Sequence, residues 1–193
     1  MSRPILLVIH LLNDYFQDGP LLHERRSLVQ SVNNLTRTFR SFGFPVAWVR
    51  QEFADDLGDA PLEMQRKGIR VTIAGTDGAR LLPDLERAHE DLELVKKRYS
   101  AFFQTELDLL LSRRQGNPVV LAGINTHACI RATAIDAYQR DLDVMIAREC
   151  VRSYDQQHHR VTLSYLDGKV ARVLSNAEIA TFLSRPSSPD HAA

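Results

Sequence analysis

The sequence predicts an α/β protein, a three-layer, Rossmann-like fold with a largely parallel central sheet flanked by helices. Three observations predict it. Strand-like and helix-like segments alternate along the chain, the pattern that builds βαβ units. Several strand segments are unbroken apolar runs, as strands buried on both faces of a parallel sheet require. No internal repeat and no long linker divides the 193 residues, so one domain is expected over residues 1–184. The remainder, 185–193, rich in Pro, Ser and Ala, is expected to be a flexible tail.

The first strand is Ile5-Leu6-Leu7-Val8-Ile9, after Pro4. Ser27 to Phe42 reads as a helix, with Leu28, Val32, Leu35 and Phe39 at three- and four-residue spacing and Gly43 as its stop. Pro45 to Val49 is the second strand. Arg50 to Leu82 follows as a long connection rich in Asp and Gly, and long ordered loops are often functional. Leu92 to Val95 is a short third strand, and Thr105 to Arg113 is helical with Thr105 as a plausible N-cap. Pro118 to Ala122 is the clearest buried strand, ended by Gly123, and a helix is expected from Thr126 to about Arg140. Asp143 to Ala147 is a further strand. Asp155 caps a helix to about Leu166, Lys169 to Val173 forms a last strand, and Ser175 opens a last helix.

Composition excludes several functions. Lys plus Arg number 24 and Asp plus Glu number 24, so there is none of the positive excess that sequence-independent nucleic-acid binding needs. No apolar run approaches the ~20 residues that span a bilayer, and the N-terminal residues lack a signal-peptide pattern, so a cytoplasmic, non-membrane protein is expected. Two cysteines make no disulfide framework and are read as free thiols. Gly-rich phosphate loops and metal-ligand clusters are absent, so neither cofactor nor metal is expected.

In parallel sheets ligands bind beyond the carboxyl ends of the strands, which directs attention to His10, Arg50-Gln51, Lys96 and Gly123 to Cys129. Cys129 follows a strand and turn at the start of a helix. With Thr126 as N-cap it would stand in the first helical turn, where the macrodipole and free N–H groups favour a thiolate and can hold an oxyanion. A blind reading would take it as a small buried hydrophobe; the strand–turn–helix elbow argues for a nucleophile. Cys150, with no helix N-terminus near it in sequence, is read as structural. His10 could act as a general base near neutral pH or merely satisfy backbone groups. Lys96 could point into the crevice, yet Lys97 and Arg98 beside it make the run look solvated. His127, His158 and His159 are weaker candidates, the last two reading as a solvated face.

These pieces together resemble the isochorismatase-like cysteine hydrolases, a family that includes nicotinamidases and N-carbamoyl-amide hydrolases. The resemblance runs from about Ile5 to Glu178. It rests on Leu7 to Phe16, on Ala74 to Gly78 followed by Leu82 to Leu85, on Lys96-Lys97-Arg98-Tyr99-Ser100-Ala101-Phe102, and on Val120 to Ile130 with Thr133, Asp136 and Ala137 downstream. It implies hydrolysis of a C–N bond in a small amide or carbamoyl compound. Cys129 would be the nucleophile, Lys96 its electrostatic partner, and the N–H groups of Asn125 and Cys129 the oxyanion donors, the first aimed by a cis Ile124–Asn125 peptide. Walls contributed by Phe16, Trp48, Gln51, Tyr99 and His127 would enclose a flat or partly apolar small-molecule substrate, although each aromatic judged singly suits a core. A homo-oligomer is expected. Zinc-holding relatives of the nicotinamidase type carry Asp-x-His after the second strand; Arg50 to Asp55 contains no His.

One departure stands out. The family's acid/base is an Asp at the end of the first strand, and this chain has His10 there, with Leu12 where Gln is usual. Three readings stay open: a working Cys–His pair, a ligand-binding relative that has lost catalysis, or a single-codon-base substitution in the sequence.

Overall fold

The apolar runs form one sheet in a computed structural model that describes residues 3–185; residues 186–193 of the expected tail lie outside the described residues. The strands are β1 (Arg3–Ile9), β2 (Val46–Gln51), β3 (Leu92–Lys96), β4 (Gly116–Ile124), β5 (Val144–Arg152) and β6 (Arg172–Leu174). Their order is β3-β2-β1-β4-β5-β6, and every pairing is parallel. The chain winds outward from β1 through β2 to β3, then returns to the other side of β1 and winds outward again. The reversal between β1 and β4 opens a crevice beyond their carboxyl ends, the place where such sheets bind ligands.

Helices cover both faces. They are α1 (Gly19–Ser41), α2 (Leu62–Lys67), α3 (Leu107–Arg114), α4 (Arg131–Tyr138), α5 (Gln156–Leu166) and α6 (Asn176–Leu183). The two-residue period of β1 sends Ile5, Leu7 and Ile9 into one core with Leu107, Leu111, Ile130 and Ala134, while Leu6 and Val8 join Leu28, Val32, Leu35 and Phe39 of α1 in the other. Each such fully buried aliphatic side chain contributes about 1.5–3 kcal/mol. Fully buried runs in β1 and β4 are what a central position in a doubly covered sheet demands.

Differences from the sequence expectations have local causes. α1 begins at Gly19, eight residues before Ser27, because Pro20 sits in the first turn, where its missing N–H costs nothing. Thr105 lies one residue before the N-cap position of α3, Glu106, yet its hydroxyl accepts from Leu107 N (3.2 Å), the first amide of the helix, and donates to Ala101 O (2.5 Å). Residues 169–171 are not strand: the amides of Lys169, Val170 and Ala171 all turn back to Leu166 O and close α5. Asp155 caps α5 through His158 N, and Ser175 with Glu178 forms a capping box on α6. The long connection carries α2 and folds over a satellite core of Phe53, Leu57, Ala60, Met64 and Ile73.

Gly123 fixes the approach of β4 to β1. Its φ is +115°, and a Cβ there would lie 1.9 Å from Ile9 O. Only glycine lets the two strand ends converge this closely, and the residues that follow them, His10 and Asn125, are thereby brought to one crevice.

No helix among the described residues is long and apolar enough to cross a membrane.

Candidate active site

Three strand ends deliver the central side chains. β1 runs out at Ile9, and His10 follows with φ +62°, a left-handed turn at the carboxyl end of the central strand. Lys96 is the last residue of β3 and is completely buried, facing inward like Leu94, whereas Glu93 and Val95 face out. After β4 the Ile124–Asn125 peptide is cis, and Thr126–Ile130 forms one turn of π-helix leading into α4. Such turns recur at functional sites. Asn125, not Thr126, takes the N-cap position. Its carbonyl accepts from Ala128 N and Ile130 N (3.1 and 3.2 Å), while the Thr126 hydroxyl donates to Arg152 O (3.0 Å) and ties the turn to β5.

Cys129 is the meeting point. Its Sγ lies 3.6 Å from Lys96 Nζ and 3.6 Å from His10 Nδ1. Lys96 Nζ also donates to Arg98 O at 2.5 Å, which holds the ammonium in place. Burial pulls the Lys96 ammonium below its usual pKa, and the Cys129 sulfur pushes it back up. His10 is 2% exposed, and burial, reinforced by the Lys96 cation, holds its imidazole well below its usual pKa. The resting His10 is therefore neutral near pH 7. Its Nε2 has no partner among the described residues, and its ring stacks on Tyr15 (centroids 5.4 Å apart, planes 9° apart).

A cavity of about 550 Å³ opens from this cluster. Of the residues expected to form its walls, Gln51, Tyr99 and His127 line it, together with His10, Asn125 and Cys129. Phe16 and Trp48 do not. Trp48 lies opposite Val8 in the β1–β2 register and so points to the α1 face, where its Nε1 donates to Asp91 Oδ2 (2.8 Å); Phe16 packs into that same core. Tyr15, Arg131, Ile135 and Tyr154, which the sequence does not single out as walls, also line the cavity. Tyr15 Oη donates to Gln51 Oε1 (2.7 Å) and orients that amide, and burial raises the Tyr15 phenol pKa. At the rim His127 Nδ1 meets Ser153 Oγ (2.5 Å), and its ring stands edge-on to Tyr154 (5.0 Å).

Residues 4–178 match the isochorismatase domain. The chain belongs to the isochorismatase family. It is 33% identical over 179 residues to an uncharacterized isochorismatase family protein of Bacillus subtilis (strain 168), covering 87% of this chain and 96% of that one. An isochorismatase family protein from Desulfovibrio vulgaris superposes with a TM-score of 0.87 at 26% identity, over 96% of this chain and 100% of that one. N-carbamoylsarcosine amidase from Thermoplasma acidophilum superposes with a TM-score of 0.77 at 27% identity, over 91% and 97%.

The remaining side chains that the sequence singles out are placed by their contacts. Cys150 is fully buried, its thiol donates to Asn176 Oδ1 (3.2 Å), and burial pushes its pKa up to about 12. Lys97 and Arg98 are not a solvated run: Lys97 pairs with Asp59 (2.7 Å) and Arg98 donates to Asp59 O (2.8 Å). His158 is exposed and pairs with Asp155, but His159 is half-buried against Thr126 Oγ1 (2.9 Å). A zinc site beyond β2 does not fit these residues. Gln51-Glu52-Phe53 offers a single carboxylate, already engaged by Arg50, and among the described residues no three His, Cys, Asp or Glu side chains gather around a common point.

Proposed function

We propose that this protein hydrolyses a C–N bond in a small amide or carbamoyl compound through a Cys129 thioester. The observation that carries the reading is the position of the Cys129 sulfur, 3.6 Å from both Lys96 Nζ and His10 Nδ1 beside the cavity. The amidase among its structural relatives supports the same reaction class. His10, neutral at rest, takes the thiol proton as the sulfur attacks the carbonyl carbon. The Lys96 ammonium stabilises the negative sulfur, and the N–H groups of Asn125 and Cys129 hold the oxyanion. The C–N bond then breaks, and His10 returns the proton to the departing ammonia or amine. Water, deprotonated by His10, hydrolyses the thioester and frees Cys129.

A second reading has a specific observation behind it. By the sequence resemblance His10 takes the place of an Asp, and both burial and Lys96 oppose the imidazolium that each turnover must form. The protein would then bind its ligand and turn it over slowly or not at all. Incubation with a panel of small amides, followed by acid quench and peptide mass analysis, separates the two. An acyl adduct on the Cys129 peptide together with released ammonia supports the hydrolase. Ligand binding without adduct or ammonia supports the silent relative.

A further inference from the structure

The cavity beside Cys129 carries a second cation whose task the reaction above leaves open. Arg131, the first residue of α4 and two residues past the nucleophile, lines the cavity and is exposed. Its guanidinium lies over the face of Tyr165, 5.2 Å from the ring centroid, and makes no hydrogen bond or ion pair with any described residue. Most other arginines near the surface are engaged: Arg37 with Glu86, Arg140 with Asp108, Arg152 with Glu24, Arg172 with Asp143. No carboxylate lines the cavity. The acidic groups just behind its walls are occupied: Asp14 accepts from Thr72 N, Glu63 pairs with Lys67, and Asp155 pairs with His158. Among the described residues Arg131 is thus the one cation besides the imidazoles on the cavity wall, beside Tyr, Gln and Asn groups, while Lys96 is completely buried and reaches only the Cys129 sulfur from behind.

We infer that Arg131 selects substrates bearing a carboxylate, so that the reacting amide or carbamoyl group belongs to a small amide acid. The inference rests on the hydrolase reading and narrows its substrate class. An exposed guanidinium that stands over an aromatic ring and makes no hydrogen bond of its own has N–H groups to offer, and these match a carboxylate in a bidentate pair. A cavity of about 550 Å³ accommodates a short acid of this kind. The carboxylate would sit on Arg131 while the carbonyl carbon faces the Cys129 sulfur. A neutral amide would leave the guanidinium without a partner and gain nothing from it.

Alkylation of Cys129 by iodoacetate and by iodoacetamide tests this with probes that differ in the carboxylate. In each reaction the S–C bond forms as the C–I bond breaks, iodide leaves and the thiol proton goes to solvent. The rate ratio of the anionic to the neutral reagent is measured for the parent, Arg131→Gln and Arg131→Lys. The expected result is a ratio at least about three-fold lower in Arg131→Gln, for a unit charge removed several ångströms from the reagent's carboxylate, and largely retained in Arg131→Lys. A smaller fall in Arg131→Gln overturns the inference and leaves the hydrolase reading standing. A Cys129 inert to both reagents counts against the hydrolase reading instead. Calorimetric titration with succinamate and with neutral succinamide then decides on Arg131: a preference for succinamate that Arg131→Gln removes supports its role, and equal binding of the two overturns it.

Discussion

His10 Nδ1 and Cys129 Sγ, 119 residues apart in sequence, stand 3.6 Å apart because Ile9, just before His10, pairs with Gly123, six residues before Cys129, at a contact too tight for any Cβ. Lys96 reaches the same sulfur from the end of β3 at the same distance. The candidate site is thus made by three strand ends, and its chemistry depends on how closely they converge.

Gly123→Ala should damage both fold and site. The added methyl would fall 1.9 Å from Ile9 O on a backbone with φ +115°. A loss of more than ~3 kcal/mol is expected from the clash and the strained backbone together. Chemical denaturation monitored by far-UV circular dichroism gives the value; a loss under 1 kcal/mol would show that β1 and β4 can part without consequence.

Lys96 and Lys97 should differ sharply. Lys96 is buried against the sulfur, whereas Lys97 is half-exposed and pairs with Asp59. Lys96→Met, which keeps the chain length, should lower kcat/KM by ~10²-fold or more, and Lys97→Met by no more than a few-fold. Equal losses in variants of matched melting temperature would remove Lys96 from the reaction.

Stability should fall in acid because of His10. Its folded pKa is held below the unfolded value of ~6.5 by burial and then by Lys96, so below pH ~6.5 the unfolded chain binds the extra proton. The contribution is complete above pH ~6.5 and is lost at up to ~1.4 kcal/mol per pH unit as the pH drops toward the folded pKa. His127 and His159 are shifted the same way by burial, so the comparison is with His10→Asn, a residue that tolerates the left-handed backbone. Urea unfolding between pH 7 and 5 should show a shallower acid loss in His10→Asn; parallel curves would mean that His10 titrates normally.

The two thiols should label differently. Cys129 borders the cavity, while Cys150 is sealed in the core with its pKa pushed up to about 12. Iodoacetamide applied to the native protein at pH 8, followed by peptide mass analysis, should modify Cys129 and spare Cys150. Labelling of Cys150 first would reverse the reading of both residues.

Much of this geometry can be read along the chain. The unbroken apolar runs at Ile5–Ile9 and Pro118–Ala122 mark the two central strands because only a doubly covered strand excludes polar residues so completely. The strand-end rule then leads to His10 and Cys129. Lys96 is different: its basic neighbours disguise it, and only the inward alternation of Leu94 and Lys96 within β3 separates it from Lys97. Phe16 and Trp48 show how aromatic character near a strand end misleads. Trp48 alternates with Ala47, Val49 and Gln51, so the same two-residue period that puts Gln51 at the cavity turns Trp48 away. Tyr154, two residues past β5, was within reach of the strand-end rule. Tyr15 and Arg131 were not, since their places depend on the 3₁₀ turn after β1 and on the π-helical turn before α4, neither of which has a periodic signature.

The most direct measurement is ammonia release from a panel of small amides and carbamoyl acids by the parent, Cys129→Ala and His10→Asp, each checked for folding by thermal melt. An Asp at position 10 accepts the left-handed backbone and forms a favourable pair with Lys96, and its carboxylate can cycle the proton without the charge repulsion that burdens imidazolium. Release by the parent that vanishes in Cys129→Ala and rises in His10→Asp, within the ~10²–10⁴-fold that acid–base assistance provides, is the predicted result. Undiminished release from Cys129→Ala, or no release from either the parent or a well-folded His10→Asp, would contradict it.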